Sequence, residues 1–170
     1  MTKTSEITRA RLREVLDYNS ETGVFTWKID RRSVKAGDEA GCSRSDGYTD
    51  IRVDGVLYRA NRLAWLYVHG TLPLLVDHEN TIRSDNRICN LRPATYSQNA
   101  ANSKLSKRNT SGYKGVSLDG ESGKWRAIIR VSGEHFSLGR FTDIKDAAVA
   151  YRSAAVHHFG EFARFETASA

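Results

Sequence analysis

Hydrophobic and polar positions recur along the first half of the chain with helical and strand periods in turn. Segment 5–18 places apolar residues near helical spacing behind a possible cap at Ser5, which predicts a short amphipathic helix. Segment 21–30 is typical of a turn and a strand, and segment 47–60 predicts two strands joined at Asp54-Gly55. Segment 61–70 predicts a helix that ends at a glycine.

A second set of elements is predicted after a stretch with little periodicity. Segment 92–102, "RPATYSQNAAN", predicts a helix with Pro93 near its first turn. Three strand-like runs then occupy 113–120, 124–131 and 134–141, and an alanine-rich helix follows over 143–160. The pattern predicts an α+β protein whose last part is a three-stranded antiparallel sheet packed on one helix.

Alternation within the middle run predicts which side chains face outward. Ala127 and Ile129 are expected to face the helix, so Arg126, Ile128 and Arg130 are expected on the opposite face.

Composition limits the classes of protein to consider. The chain has 170 residues and 39% hydrophobic residues, which is enough for one medium or two small cores. It contains no apolar run long enough for a membrane span, and its first residues are too polar for a signal peptide, so we expect an intracellular protein. Cys42 and Cys89 are far apart without CxxC spacing, which favours neither a disulfide framework nor a zinc site.

The net charge of +6 is concentrated in the middle of the chain. Between Arg83 and Arg130 there are ten Lys or Arg and three Asp or Glu, a surplus of seven, while the rest of the chain has 16 against 17. Such a cluster is either a solvated cationic surface or a footprint for a polyanion, and charge alone favours the two equally.

The stretch 76–102 combines the groups that phosphodiester hydrolysis needs. Asp77 offers a hard carboxylate oxygen suited to Mg²⁺ or Mn²⁺, and the neighbouring His78 can act as a general base near neutral pH. Neighbours in a strand point to opposite faces, so the pair would need a bend to converge. Asn99 lies inside the predicted helix, where a solvent-facing amide is the simpler interpretation and a ligand role the alternative.

At these residues the sequence resembles the HNH endonucleases of the ββα-metal superfamily, especially the phage and intron-encoded homing type. The resemblance rests on "ETGVFTWK", "DGY", "NRLAWLYVHG" and "DH...RSDNR..NL". It implies that His78 is the general base, that Asp77 and Asn99 are metal ligands, and that Asn90 orients the histidine and braces the loop. It also implies one Mg²⁺ or Mn²⁺ per active site.

The chain departs from the pattern of this family at three positions. Asn61 stands where members usually have a histidine, and Glu79 and Thr81 replace an apolar residue and a turn glycine. These departures support an alternative function, a catalytically impaired DNA-binding regulator. All four motif positions are present, which favours an active enzyme.

The C-terminal part resembles the APETALA or ethylene-response-factor type of DNA-binding domain. The motifs are "YKGV", "GKWRAIIRV", "FSLGRF", "DAAVAYRSAA" and "FGEFARF". The resemblance implies that the outer sheet face lies in the DNA major groove. Together with the basic surplus, it predicts DNA contacts from Arg83, Arg87, Lys104, Lys107, Arg108, Lys114, Ser117, Lys124, Arg126, Arg130, His135 and Ser137.

The sequence therefore predicts a site-selective, divalent-metal-dependent homing endonuclease that acts on double-stranded DNA as a monomer in the cytoplasm of a bacterial or phage-infected cell. Its expected parts are an N-terminal helix and hairpin (1–44), an HNH nuclease domain (45–103), a basic linker (104–110) and the DNA-binding domain (111–168).

Overall fold

The computed structural model describes residues 7–165, which divide into two compact units within Met1–Ala94 and Thr95–Ala170. Both units mix helices with antiparallel sheets, so the α+β class is confirmed. None of the described helices is long and apolar enough to cross a membrane. The cap proposed at Ser5 lies outside the described residues.

The first unit begins with helix α1 (Arg9–Val15), and the Thr8 side chain accepts a hydrogen bond from its first turn. Strand β1 (Leu16–Tyr18) follows at once and pairs antiparallel with β2 (Phe25–Trp27). The prediction of a helix over 5–18 is therefore wrong at its last three residues. Leu16 is extended and pairs with Trp27, and both side chains are buried, so tertiary pairing overrides the local helical spacing.

A three-stranded sheet and a helix form the middle of the first unit. Strands β3 (Cys42–Ser43), β4 (Thr49–Val53) and β5 (Val56–Arg59) lie in that order, and helix α2 (Ala60–His69) follows β5 directly. The predicted junction at Asp54-Gly55 is confirmed, with φ of 49° and 83°, and the helix ends at Gly70 as predicted, with φ of 75°.

The unit closes with a two-stranded sheet of β6 (Leu75–His78) and β7 (Leu91–Ala94), joined by a loop that ends in a short 3₁₀ turn. Pro93 lies in β7 opposite Val76, so its prediction as part of a helix is wrong. Proline is tolerated here because a strand of a two-stranded sheet has one unpaired edge. The following helix begins only after Thr95, whose side chain forms a capping box with Gln98.

One hydrophobic core unites these pieces of the first unit. Leu12 from α1, Phe25 from β2, Ile51 from β4 and Leu63 from α2 are at most 2% exposed. Val76 and Leu91, on either side of the β6–β7 loop, belong to the same core. The loop therefore starts and ends at anchored positions.

The second unit contains α3 (Tyr96–Asn102), the antiparallel strands β8 (Val116–Leu118), β9 (Trp125–Val131) and β10 (Glu134–Phe141), and helix α4 (Ile144–Phe159). Strand β9 is central, and α4 packs against β9 and β10. Ala127 and Ile129 are buried, whereas Arg126 and Arg130 are exposed, as the alternation predicted.

Candidate active site

Two consecutive polar residues are buried at the end of β6. Asp77 is 5% exposed and His78 is 4% exposed. The Asp77 carboxylate accepts a hydrogen bond of 3.1 Å from Nε of Arg92, its cross-strand neighbour on β7. A buried carboxylate requires such a partner, because an isolated charge out of water is costly. Arg92 thus holds the carboxylate that the sequence assigned to a metal.

The imidazole of His78 is held by an amide that the sequence analysis missed. Nε2 of His78 lies 3.1 Å from Oδ1 of Asn86, and Nδ2 of Asn86 points to the carbonyl of Ser84 at 3.4 Å. With Oδ1 as acceptor, Nε2 carries the proton, so Nδ1 carries the lone pair. A general base needs that lone pair, and Asn86 therefore selects the tautomer suited to the task.

The protonation state of His78 also favours its role as a general base. Burial lowers the pKa of His78 below its usual value, and the positive charge of Arg83 acts in the same direction. The hydrogen bond that the imidazole donates to Asn86 and the charges of Asp77 and Asp85 oppose the shift. The neutral imidazole is therefore the dominant form at neutral pH.

The loop between β6 and β7 is fixed by its own polar side chains. Asn90 accepts from the backbone N–H of Asn80 at 3.0 Å and donates to the carbonyl of Asp85 at 2.8 Å. The carboxylate of Asp85 accepts from Asn80 at 2.7 Å and from two nitrogens of Arg87. These bonds hold the segment that carries Asn86. A direct role of Asn90 in orienting His78 stays a prediction.

The β1–β2 hairpin supports this loop from the other side. The hydroxyl of Tyr18 donates to the backbone carbonyl of Asn86 at 2.7 Å, and burial raises the pKa of Tyr18 to about 12. Gly23 in the hairpin turn approaches the loop so closely that a Cβ atom there would lie 2.5 Å from the backbone nitrogen of Arg87. Glycine is required at this contact, since any side chain would clash with backbone.

Two of the three departures from the HNH pattern have visible structural consequences. Asn61 is 4% exposed, and its Nδ2 donates to the carbonyl of Val76 at 2.8 Å, so it braces β6 just before Asp77. Thr81 adopts a positive φ of 63°, and its buried hydroxyl has no hydrogen-bond partner among the described residues. A β-branched residue is disfavoured in this conformation, so the position stores strain. Glu79 is exposed.

The ligands for a divalent metal are few in the described part of the chain. Within residues 7–165 no group of three or more His, Cys, Asp or Glu side chains is arranged to hold a metal ion. The single carboxylate of Asp77 has the hard oxygen chemistry of a Mg²⁺ or Mn²⁺ ligand, which fits a site completed by amide oxygens, water or phosphate. Asn99 lies on α3.

Comparisons with known proteins assign part of this chain to a family. Residues 58–101, which include Asp77, His78 and Asn86, match the HNH endonuclease family. Protein 3.8 of Escherichia phage T7 is 32% identical over 103 residues, which is 59% of this chain and 84% of that protein. The chain belongs to the family of this phage protein and contains an HNH endonuclease domain.

The residues predicted to contact DNA fall into three structural groups. In the HNH domain, Arg83 is exposed beside an aromatic ring, whereas both Nε and Nη2 of Arg87 are engaged by Asp85. In the second unit, the ammonium of Lys114 donates to carbonyls at the end of α3. The other members are exposed: Lys104, Lys107, Arg108, Ser117, Lys124, Arg126, Arg130, His135 and Ser137.

The outer face of the C-terminal sheet brings several of these exposed residues together. Ser117 pairs with Arg126 across β8 and β9, and Arg130 pairs with His135 across β9 and β10. Arg140, which the sequence analysis missed, is the β10 neighbour of Arg126 and binds Asp119 at 2.5 Å. The face is polar and cationic.

Asn86, Tyr18 and Arg92 are the site residues that sequence reasoning missed. Asn86 is one of several asparagines in the stretch, and nothing in their spacing singles it out. Arg92 follows the "NL" dipeptide directly and lies in a strand opposite Asp77, so a correct assignment of β7 would have found it.

Proposed function

We propose that this protein is a divalent-metal-dependent DNA endonuclease in which His78 is the general base. The observation that carries this proposal is the buried imidazole of His78, with Nε2 tied to Asn86, next to the buried carboxylate of Asp77. The match of residues 58–101 to HNH endonucleases supports the same assignment.

Each residue of the site has a separate role in phosphodiester hydrolysis. Nδ1 of His78 takes a proton from the attacking water, and its neutral state at pH 7 makes it ready to do so. Asn86 keeps the imidazole in the required tautomer and orientation, while Asn90 and Asp85 keep the loop in place. Tyr18 adds support from the hairpin.

Asp77 is the residue that would hold the cation, with Asn99 as the further ligand that the resemblance to the HNH family predicts. A bound Mg²⁺ or Mn²⁺ supplies positive charge for the phosphate and for the leaving 3′ oxygen. Arg92 forms an ion pair with the Asp77 carboxylate, so a cation must compete with the guanidinium for the carboxylate oxygens.

We further propose that the second unit reads double-stranded DNA with its outer sheet face, as the likeness to the APETALA or ethylene-response-factor type implies. The exposed pairs Ser117–Arg126 and Arg130–His135 support this assignment. Arginine side chains suit guanine edges and phosphates. Site selectivity of the homing type, action as a monomer and a setting in a phage-infected cell belong to the same proposal; the similarity to a phage protein supports the setting.

A second candidate function is DNA binding without cleavage. The ion pair between Arg92 and Asp77 favours it, because a guanidinium already compensates the carboxylate. Strain at Thr81, next to the catalytic segment, points the same way.

Conversion of supercoiled plasmid by the full-length protein, with Mg²⁺ and with EDTA, separates the two functions. The enzyme predicts metal-dependent nicking that the His78→Ala variant loses by about 10² to 10⁴-fold while retaining DNA binding. Equal nicking by the variant would eliminate His78 as the base, and absence of nicking by the wild type with bound DNA would favour the regulator.

A further inference from the structure

Two arginine side chains lie over an aromatic ring beside His78. The guanidinium of Arg59 lies 4.4 Å from the ring centroid of Tyr48, and that of Arg83 lies 5.0 Å from it. The same ring lies 5.7 Å from the imidazole of His78. We call Tyr48, Arg59 and Arg83 the Tyr48 platform. Tyr48 directly precedes β4, Arg59 is the last residue of β5 and Arg83 lies in the β6–β7 loop, so three separate segments meet beside His78.

The two arginines differ in how their charges are compensated. Arg59 is paired with Asp46 at 2.9 Å and with the buried Asp50 at 3.2 Å. Arg83 donates to the backbone carbonyl of Asp46 at 2.9 Å, and no carboxylate within the described residues forms an ion pair with it. The acidic residues therefore fix the position of Arg59 and the peptide carbonyl fixes Arg83, which keeps a full positive charge.

The immediate surroundings of the platform remain cationic. Arg44 also pairs with Asp50, at 3.3 Å. Three arginines thus face two aspartates, which leaves one positive charge. Stacking on an aromatic face restrains a guanidinium while leaving the N–H donors at its edge able to bind an anion. Arg87 uses Nε and Nη2 on Asp85, and Arg59 uses Nη1 and Nη2 on Asp50 and Asp46. Arg83 is therefore the arginine of the platform that brings an uncompensated charge to a phosphate.

We propose that the Tyr48 platform binds a backbone phosphate of the DNA strand and thereby positions the scissile bond in front of His78. This inference rests on the proposed nuclease function and adds Tyr48 and Arg59 to the DNA-contacting surface. The ligand is the phosphodiester group itself, recognised by charge and by guanidinium donors, without base specificity. Tyr48 and the arginines are positioning residues, because they act on the substrate strand while His78 performs the chemistry.

A purely structural role for the cluster makes a different prediction. The exposed pair of Arg59 and Asp46, whose side chains are 35% and 40% exposed, contributes about 0 to 1 kcal/mol, whereas loss of Arg59 also removes a partner of the buried Asp50 and destabilises the unit more. Arg83 has no carboxylate partner and is exposed, so its substitution should leave the fold intact. A structural cluster would alter thermal stability and leave the salt dependence of DNA binding unchanged.

The test measures binding of the full-length protein to a short DNA duplex in EDTA over a series of KCl concentrations. Arg83→Gln should weaken binding and reduce the slope of log K against log salt by about 0.9, the value for one lost phosphate contact. Arg59→Gln should act in the same direction. Tyr48→Leu should weaken binding too, whereas Tyr48→Phe, which keeps the ring, should bind as the wild type does.

Arg31→Gln is the matched control, because Arg31 stacks on Trp27 in the same way at 4.2 Å. Its salt slope should equal that of the wild type. In plasmid nicking with Mg²⁺, Arg83→Gln should raise KM about tenfold because binding is weaker, and it should also lower kcat because the scissile bond is no longer held in front of His78.

A wild-type salt slope and KM for both Arg83→Gln and Arg59→Gln would overturn the inference, as would an equal loss of slope in Arg31→Gln. The binding experiment needs no cleavage, so it separates this inference from the nuclease proposal. If His78→Ala nicks as well as the wild type while Arg83→Gln loses slope, the base assignment fails and the phosphate site stands.

Discussion

Replacement of Asn86 by alanine tests the assignment of His78 most directly. The variant removes the acceptor that lies 3.1 Å from Nε2 of His78, in a place where both residues are about 5% exposed. The substitution removes the hydrogen bond between the buried imidazole N–H and Asn86. Loss of the acceptor of a buried donor lowers the free energy of unfolding by about 1 to 3 kcal/mol. The bond from Tyr18 survives, because it uses the backbone carbonyl of Asn86.

The variant should lose activity even while it remains folded. Without Asn86 the imidazole can rotate or adopt the other tautomer, so Nδ1 no longer presents its lone pair to the water. We expect plasmid nicking to fall about 100-fold, at the lower end of what a general base contributes. Asn86→Asp keeps an acceptor oxygen at the same place and should retain more activity than the alanine variant.

The assay compares nicking rates at saturating DNA with unfolding free energies from urea titration. Val53→Ala is the control, because Val53 is buried in the same unit and its truncation costs about 2 kcal/mol away from His78. This control should lose stability and keep its nicking rate at low temperature. An Asn86→Ala protein that cuts at the wild-type rate would refute the proposed role of the amide.

Three further outcomes are expected. Thr81→Gly should raise the melting temperature by about 3 °C, because glycine adopts a positive φ without strain and the buried hydroxyl is removed. A lower melting temperature would contradict the assigned strain. The pKa of Asp85 is lowered to about 2, chiefly by its hydrogen bond from Arg87, so its contribution to stability is present above pH of about 4 and is lost as the pH falls toward 2. Asp85→Asn should therefore be less stable than the wild type at pH 6 in urea titration and approach it near pH 2, whereas a pH-independent difference would exclude the ionic interaction. Arg126→Ala should relax the sequence preference of cleavage at one or two base pairs with little change in salt dependence, which selection from a random DNA library measures; an unchanged preference would remove Arg126 from base reading.

The sequence predicted those elements whose signals are local. The turn at Asp54-Gly55 and the end of α2 at Gly70 follow from residues that tolerate positive φ, so neighbouring residues sufficed to place them. The buried and exposed residues of β9 followed from strict alternation.

The errors arose where distant residues decide. Leu16 continues a helical spacing, yet it becomes a strand because Trp27 lies opposite. Pro93 fits the first turn of a helix by local rules, yet it lies in β7 opposite Val76. Partner choice by Asn86 depends on how the β6–β7 loop folds, and a single sequence does not specify which of several amides reaches an imidazole eight residues away.

The contact between the β1–β2 hairpin and the β6–β7 loop has a consequence for transplanting the HNH domain into other proteins. Segment 58–101, which matches the HNH family, contains His78 but lacks Tyr18, which donates to the carbonyl of Asn86, and Gly23, which lies against the loop backbone. A chimera that receives only that segment would carry the reactive residues without their support. A transplanted segment that keeps this support must begin before β1, so it must be much longer than the segment that matches the HNH family.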